Sequence, residues 1–239
     1  MPIRAPAQVQ ASLVDPESIA LLRRMAEAYR GAARFSCTIV ARANAGGREE
    51  FAQATLKLRR PSQVALVVGE GERARSVVAN GTDRRTVREG RTQWARGVRP
   101  DRAISDALAG SEFFVSPVFP LLLGASDAAE RLLPGKAVRV GRGNDEILDG
   151  IPVDVVVADI ESPTGSARLS FAIGREDHFL RRLRITARRA GSTMDLSEVF
   201  TDINVDGAID PATFRMEPPG KTSPPPRPLK VPPPKGRTR

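Results

Sequence analysis

Four consecutive segments near the end of the chain most tightly constrain its fold. They cover residues 153–160, 166–173, 180–189 and 193–200, and they are rich in Val, Ile, Leu, Phe and Thr. Turn-forming residues separate them: Ser-Pro-Thr-Gly, Arg-Glu-Asp-His and Ala-Gly. In the second segment Leu169, Phe171 and Ile173 alternate with polar or small residues. Because successive side chains of a strand point to opposite faces, the pattern predicts an antiparallel meander with one buried face.

The same two-residue period occupies residues 35–89, where Asn80-Gly81 is a strong hairpin signal. Ahead of it, Asp15 and Pro16 match an N-cap followed by the first residue of a helix. Apolar residues then recur at three- and four-residue spacing as far as Ala33. We therefore expect one amphipathic helix to pack on a largely antiparallel sheet. A lid or interaction face is the functional alternative for this helix.

The most apolar stretch lies between the two strand-rich regions, at residues 113–123. Pro117 and Pro120 interrupt it, so one regular helix cannot cover it. We expect this insert either to plug the open side of the sheet or to line a cavity there.

The charge of the chain is concentrated at its end. The formal net charge is +9, and residues 220–239 hold six Lys or Arg and no acidic residue, which leaves +3 for the rest. With only 5% aromatic residues, we expect no nucleic-acid partner. The composition predicts a disordered lead at 1–14, one folded domain at 15–219 and a Pro-rich, basic, disordered tail at 220–239. No apolar run approaches the ~18 residues of a membrane span, and no secretory signal is visible.

No constellation of residues indicates an enzyme. Cys37 is the only cysteine and His178 the only histidine, and neither has a sequence context that suggests a nucleophile paired with a base. Residues 202–210 imitate a calcium loop, but Thr213 stands where the bidentate Glu belongs. We therefore predict no catalytic residue, no metal site and no cofactor.

Several short motifs resemble one known family. They are Leu22-x-x-Met25-x-x-Ala28-Tyr29 before Phe35, Leu56-Lys57-Leu58-Arg59-Arg60-Pro61, Val78-Ala79-Asn80-Gly81, and Asp202-Ile203-x-Val205 followed by Phe214-x-x-x-Pro218-Pro219. Together they resemble the LolA/LolB-like lipoprotein-carrier superfamily, which includes the sensor domain of RseB, and in particular one of its periplasmic branches. The family hairpin usually continues Leu-Trp-x-Tyr, whereas this chain has Asp83-Arg84-Arg85-Thr86.

The resemblance implies a mainly β (α+β) fold. It is an incomplete antiparallel β-barrel of about 10–11 strands wrapped over the N-terminal helix and the short helical apolar insert. An apolar cavity would receive acyl chains of lipoproteins or lipids in the periplasm or cell envelope. The candidate lining residues, chosen for their apolar faces, are Leu22, Met25, Tyr29, Leu56, Leu58, Phe113, Phe114, Phe119 and Leu122. Arg60 matches a family arginine that helps to control cargo release.

Two functions remain open on these grounds. One is a non-enzymatic, lipid- or lipoprotein-binding carrier. The other is an interaction or envelope-sensor module with a filled core, which binds another protein and is tethered by the Pro-rich tail. The first predicts lipid that can be extracted from the protein, and the second predicts none.

Overall fold

The computed structural model describes residues 13–70, 74–88, 90–97, 102–109, 122–123, 128–132, 137–189 and 191–216. Its helices are α1 (Pro16–Gly31), α2 (Ala103–Ala109) and α3 (Ala128–Leu132), with a 3-10 turn at Pro211–Phe214. Its strands are β1 (Leu13–Val14), β2 (Arg34–Ala45), β3 (Arg48–Arg59), β4 (Gln63–Val68), β5 (Arg75–Asn80), β6 (Asp83–Arg88), β7 (Arg91–Arg96), β8 (Ala137–Arg142), β9 (Glu146–Leu148), β10 (Ile151–Ser162), β11 (Gly165–Gly174), β12 (Leu180–Arg189) and β13 (Ser192–Val205).

All of these strands belong to one open sheet. Across the described part of the chain its order is β1-β8-β10-β11-β12-β13-β2-β3-β4-β5-β6-β7, with β9 paired to β10 beside this path. Every pair is antiparallel except β1 with β8. The predicted mainly β class is confirmed, as one large, mostly antiparallel sheet that does not close into a barrel. The strand number exceeds the expected 10–11 because β1, which begins two residues before the predicted domain start, and β9 are short additions.

The closing meander forms as its turn chemistry predicts. Strands β10 to β13 pair in sequence order; β12 has the predicted bounds, and the other three extend the predicted segments by one to five residues at an end. In the other half, the amide oxygen of Asn80 accepts hydrogen bonds from the backbone N–H groups of Thr82 (3.1 Å) and Asp83 (2.9 Å). Gly81 has φ +103°, and an added Cβ there would lie 2.5 Å from the hydroxyl of Ser62. Only glycine fits this hairpin without strain.

Helix α1 begins where the sequence indicates. The carboxylate of Asp15 accepts hydrogen bonds from the backbone N–H groups of Glu17 (3.3 Å) and Ser18 (3.0 Å), and Pro16 occupies the first turn. The helix buries one face on the sheet, including Leu21, Leu22, Met25, Ala26 and Tyr29. We call the sheet face that α1 covers the inner face, and the opposite one the outer face.

The main core lies between the inner face and the helices. Alternate residues of the long strands reach it, among them Phe35, Leu58 and Phe171, each 1% exposed or less. Residues of α2 and α3 and the pair Leu122 and Leu123 belong to the same cluster. The alternation seen in the sequence is therefore the origin of the two-layer arrangement.

An ion-pair cluster closes one end of the inner face. Asp154, which is 8% exposed, accepts from Arg142 Nη2 at 2.8 Å and from Arg175 Nε at 3.3 Å. Arg175 Nη2 also binds Asp145 Oδ2 at 3.0 Å. Burial alone would raise the pKa of Asp154, but the two guanidinium groups outweigh burial and hold it below its ordinary value.

We expect Phe171→Ala to lower the free energy of unfolding by about 3–5 kcal/mol, because it leaves a cavity in the packed inner layer. Phe51→Ala is the matched control, since Phe51 is 62% exposed and its loss leaves no cavity. Urea unfolding of the two variants measures the difference. Equal losses would contradict the assignment of the inner face as the core.

Asp154→Asn tests the buried ion pair through pH. A lowered folded-state pKa means that the stabilisation is present above the ordinary pKa of 3.8 and is lost as the pH falls through the folded value. The variant should therefore be less stable than wild type at pH 7, and the gap should narrow below about pH 4. Asp159→Asn, which removes the partner of the exposed Arg168, should cost less at pH 7. A gap for Asp154→Asn that does not change with pH would refute the ion-pair explanation.

Candidate functional site

The candidate site is the apolar contact between the helices and the inner face. Six of the nine predicted lining residues are described, and each of them is between 0% and 2% exposed: Leu22, Met25, Tyr29, Leu56, Leu58 and Leu122. They all belong to one packed cluster, so the structure brings these residues together in one place. Phe113, Phe114 and Phe119 lie outside the described residues. Whether these positions line a ligand cavity stays a prediction.

Three aromatic rings form the centre of this contact. The ring centroid of Tyr29 lies 5.3 Å from that of Phe35 and 4.9 Å from that of Phe179, and Phe35 and Phe179 are 5.5 Å apart. These separations are typical of favourable aromatic pairs. Burial raises the pKa of the Tyr29 hydroxyl well above its usual range, so the ring stays neutral. The triad joins the end of α1 to both halves of the sheet.

Phe179 is a member that the sequence analysis missed. It follows the charged turn at residues 175–178 and precedes β12, so it lies outside the alternating segments from which core residues were predicted. It is nevertheless only 5% exposed. The available signal was its size, since it is a large aromatic residue directly after a turn and ahead of an apolar strand.

Arg60 joins the helix to the apolar insert. Its Nε donates to the backbone carbonyl oxygen of Ala32 at 3.1 Å. Its Nη2 donates to the carbonyl oxygens of Tyr29 at 2.9 Å and Leu123 at 3.1 Å. Burial lowers the pKa of this guanidinium, although arginine keeps its charge in proteins. The side chain thus fixes the C-terminal end of α1 to Leu123, beside the predicted lining residues.

The cysteine and the calcium-like segment considered in the sequence analysis serve the packing and the backbone of the fold. Cys37 is 2% exposed, and burial raises the pKa of its thiol, so it packs as a small apolar residue. In the calcium-like segment, Asp206 accepts from the backbone N–H of Arg34 at 2.9 Å. Asp210 caps the 3-10 turn by accepting from the N–H of Ala212 at 2.8 Å. Two of the loop's acidic groups are therefore engaged in holding the backbone.

No protein-family model matches this chain, and no curated protein matches it. Similar solved structures include a chain of the Pseudomonas aeruginosa MucA/MucB complex, at 16% identity and a TM-score of 0.49. The match covers 84% of this chain and 61% of that one, so this chain spans about three fifths of its length.

Two further structures match over nearly their whole length. LprF from Mycobacterium bovis is 13% identical over 82% of this chain and 97% of that one, with a TM-score of 0.47. A LolA superfamily protein from Nitrosomonas europaea is 12% identical over 83% and 97%, with a TM-score of 0.36. One of these similar structures thus belongs to the superfamily that the sequence motifs resemble. Among the described residues no helix is both long and apolar enough to cross a membrane.

We expect Arg60→Met to loosen the end of α1, because it removes three hydrogen bonds to carbonyl oxygens and keeps most of the apolar stem. Amides at residues 29–33 should exchange hydrogen faster, and the free energy of unfolding should fall by about 1–3 kcal/mol. Arg24→Met is the control, because Arg24 is exposed on the same helix. If the amides at residues 29–33 exchanged hydrogen at the same rate in both variants, Arg60 would not hold the helix end.

Proposed function

We propose that this chain is a non-enzymatic, carrier-like protein of the cell envelope that binds lipids or lipoproteins and shelters their acyl chains between α1 and the inner face. One observation carries the proposal: the helix face and the sheet face that meet there are both lined by large apolar side chains. When an acyl chain enters between these layers, the helix and the sheet exchange their apolar contact with each other for an apolar contact with the acyl chain. The resemblance of the sequence motifs to the LolA/LolB-like carriers supports a periplasmic or envelope location.

The free energy gained by burying an acyl chain is similar to the free energy lost when the apolar face of α1 leaves the sheet. Burying about twelve methylenes contributes about 10 kcal/mol at about 0.8 kcal/mol each. Exposing Leu21, Leu22, Met25 and Tyr29 completely would cost about 1.5–3 kcal/mol for each side chain, or about 6–12 kcal/mol together. The free energy gained by burying the acyl chain nearly equals the cost of exposing these α1 side chains. We therefore propose that α1 and the insert move only far enough to admit the acyl chain, and that their apolar side chains then contact it and are not exposed to water.

Arg60 supports a role in that movement. From the turn that follows β3 it supplies hydrogen bonds to Tyr29 and Ala32 at the end of α1 and to Leu123. We propose that opening the layer breaks these bonds and that forming them again favours release of the cargo.

The filled-core interaction module remains the second candidate, and a specific observation favours it. The six described lining residues already pack against their neighbours and are almost fully buried without any cargo. In that case the protein would act through its surface, with another envelope protein as its partner.

Native mass spectrometry of the purified protein, followed by organic extraction, separates the two candidates. The carrier should retain an acyl-bearing species or bind one equivalent of an added triacylated lipopeptide. Leu66→Gln should abolish this adduct, whereas Val67→Gln should retain it, because Leu66 is 0% exposed on the inner face and Val67 is 39% exposed on the outer face. A protein that stays free of lipid under all these conditions would be the interaction module.

A second variant keeps the test decisive if Leu66→Gln does not fold. Ala158→Leu adds apolar volume to the inner face, where Ala158 is 0% exposed, without burying a polar group. It should reduce the amount of bound acyl species in a protein that still shows a cooperative unfolding transition. Undiminished binding in that folded variant would place the acyl chain elsewhere.

A further inference from the structure

The outer face carries a groove that the acyl site does not use. It has a volume of about 840 Å³ and lies across β2, β12 and β13, with the turn between β9 and β10 as one wall. Val199 pairs with Val40 in its floor. A smaller cavity of about 250 Å³ adjoins it and shares Arg42, Arg184 and Ser197. A volume of this size is typical of a ligand site.

Two arginines lie at one end of the groove, and Glu49 and Asp195 line the adjoining cavity. Arg184, Ser197 and Arg42 lie side by side on β12, β13 and β2, because Ser197 pairs with both arginines. Within the described residues no carboxylate lies within ion-pair distance of either guanidinium, and Arg42 only covers the Phe51 ring at 5.9 Å. By contrast, Arg182, which also lines the groove, is paired with Glu146. Two arginines that flank a serine hydroxyl are suited to bind a carboxylate.

The other end of the groove is acidic. Asp202 lies in the β13 bulge directly after Thr201, which is four residues beyond Ser197, or about 13 Å away at about 3.3 Å per residue. Asp149 lies in the β9–β10 turn, and the starts of β10 and β12 flank the end of β11, so Asp149 and Asp202 line the same groove. Both aspartates have positive φ, 50° and 51°, a conformation that Asp and Asn adopt more readily than most residues. Neither forms an ion pair within the described part of the chain.

The middle of the groove combines apolar and hydroxyl groups. Val199 lies between Ser197 and Thr201 along β13, so a valine and two hydroxyls alternate on the floor. Leu148 and Ile151 add apolar surface on the β9–β10 side. Hydroxyl groups can bind a peptide backbone, and the apolar residues can contact its side chains.

We propose that this groove binds an extended peptide segment of a partner protein. The segment carries a carboxylate that binds at Arg42 and Arg184 and a cationic side chain that binds at Asp149 and Asp202. These two charges are about four residues apart in the segment, because an extended chain rises about 3.3 Å per residue and an even spacing keeps both side chains on the side that faces the groove. A single-chain anionic lipid would satisfy only the arginine end, so charge complementarity at both ends favours the peptide.

The probe is a blocked pentapeptide with Glu first, Lys last and Val, Thr and Val between them, so that both charged side chains lie on one side of the extended chain. Its acetylated and amidated ends carry no charge, so only the two side chains are charged. The peptide is titrated into the protein and the backbone amide chemical shifts are followed by NMR. The amide signals of Val40, Gly150 and Val199 should shift. A peptide with Gln at both ends, and one with Glu and Lys only two residues apart, should each bind at least threefold more weakly.

Variants of the protein locate the contacts. Arg42→Gln with Arg184→Gln, and separately Asp149→Asn with Asp202→Asn, should each raise the Kd, by up to about fivefold for each exposed charge pair lost. Arg75→Gln with Arg91→Gln is the matched control, because both arginines are exposed and lie outside the groove. In the Asp149→Asn, Asp202→Asn protein, replacing the peptide Lys with Gln should have no further effect.

Three results would overturn the proposal. They are equal binding of the neutral peptide, an equal loss in the control variant, and shifts of the groove amides by oleate but not by the charged peptide. The last result would assign the groove to an anionic amphiphile. The acyl-site variant Leu66→Gln, if folded, should bind the peptide normally, so failure of the carrier function and failure of this proposal are distinguishable.

Discussion

The pairing of β13 with β2 is the contact on which the rest of the structure depends. It extends from Met194 opposite Ala45 to Val205 opposite Phe35, with a bulge between Thr201 and Asn204. It joins the last long strand to the first, so two meanders distant in sequence become one sheet. Without it, α1 would have no continuous apolar surface to cover, because the inner-face residues that it contacts come from both halves. The loop-closure entropy of this long-range pairing is offset by that shared burial.

The same pairing creates two surfaces of opposite character. Along β13, Leu196 and Phe200 reach the inner face, while Ser197 and Val199 reach the outer groove. Strand alternation therefore places the core layer and the groove on opposite sides of the same strand. A substitution on one face need not disturb the other, so the proposed acyl site and the proposed peptide groove can be tested separately.

Local chemistry explains what could be predicted from the sequence. The Asp15 cap, the Asn80-Gly81 hairpin and the closing meander each depend on residues close together in the chain, and all three were predicted. The inner-face residues were predicted because their two- and 3.6-residue periods are strong. The order of strands in the sheet, the wall formed by β9 and the position of Phe179 depend on contacts distant in sequence, which no local pattern encodes. Periodicity predicts burial and not the presence of a cavity, so the six described lining residues lie in the core while their role as a ligand site stays a prediction.

The choice of arginine at position 60 follows from the geometry of its acceptors. The three carbonyl oxygens that it contacts belong to two segments, the end of α1 and Leu123, and a guanidinium presents several donors in one rigid plane. The carbonyl oxygens at a helix C-terminus carry partial negative charge and lack partners within the helix, so a cation there is favourable. A lysine has one ammonium on a flexible stem and would span the two segments less well. Apolar packing alone would hold the helix without a preferred position, because it is non-directional. The directional hydrogen bonds of Arg60 therefore fix the position of the end of α1 relative to Leu123.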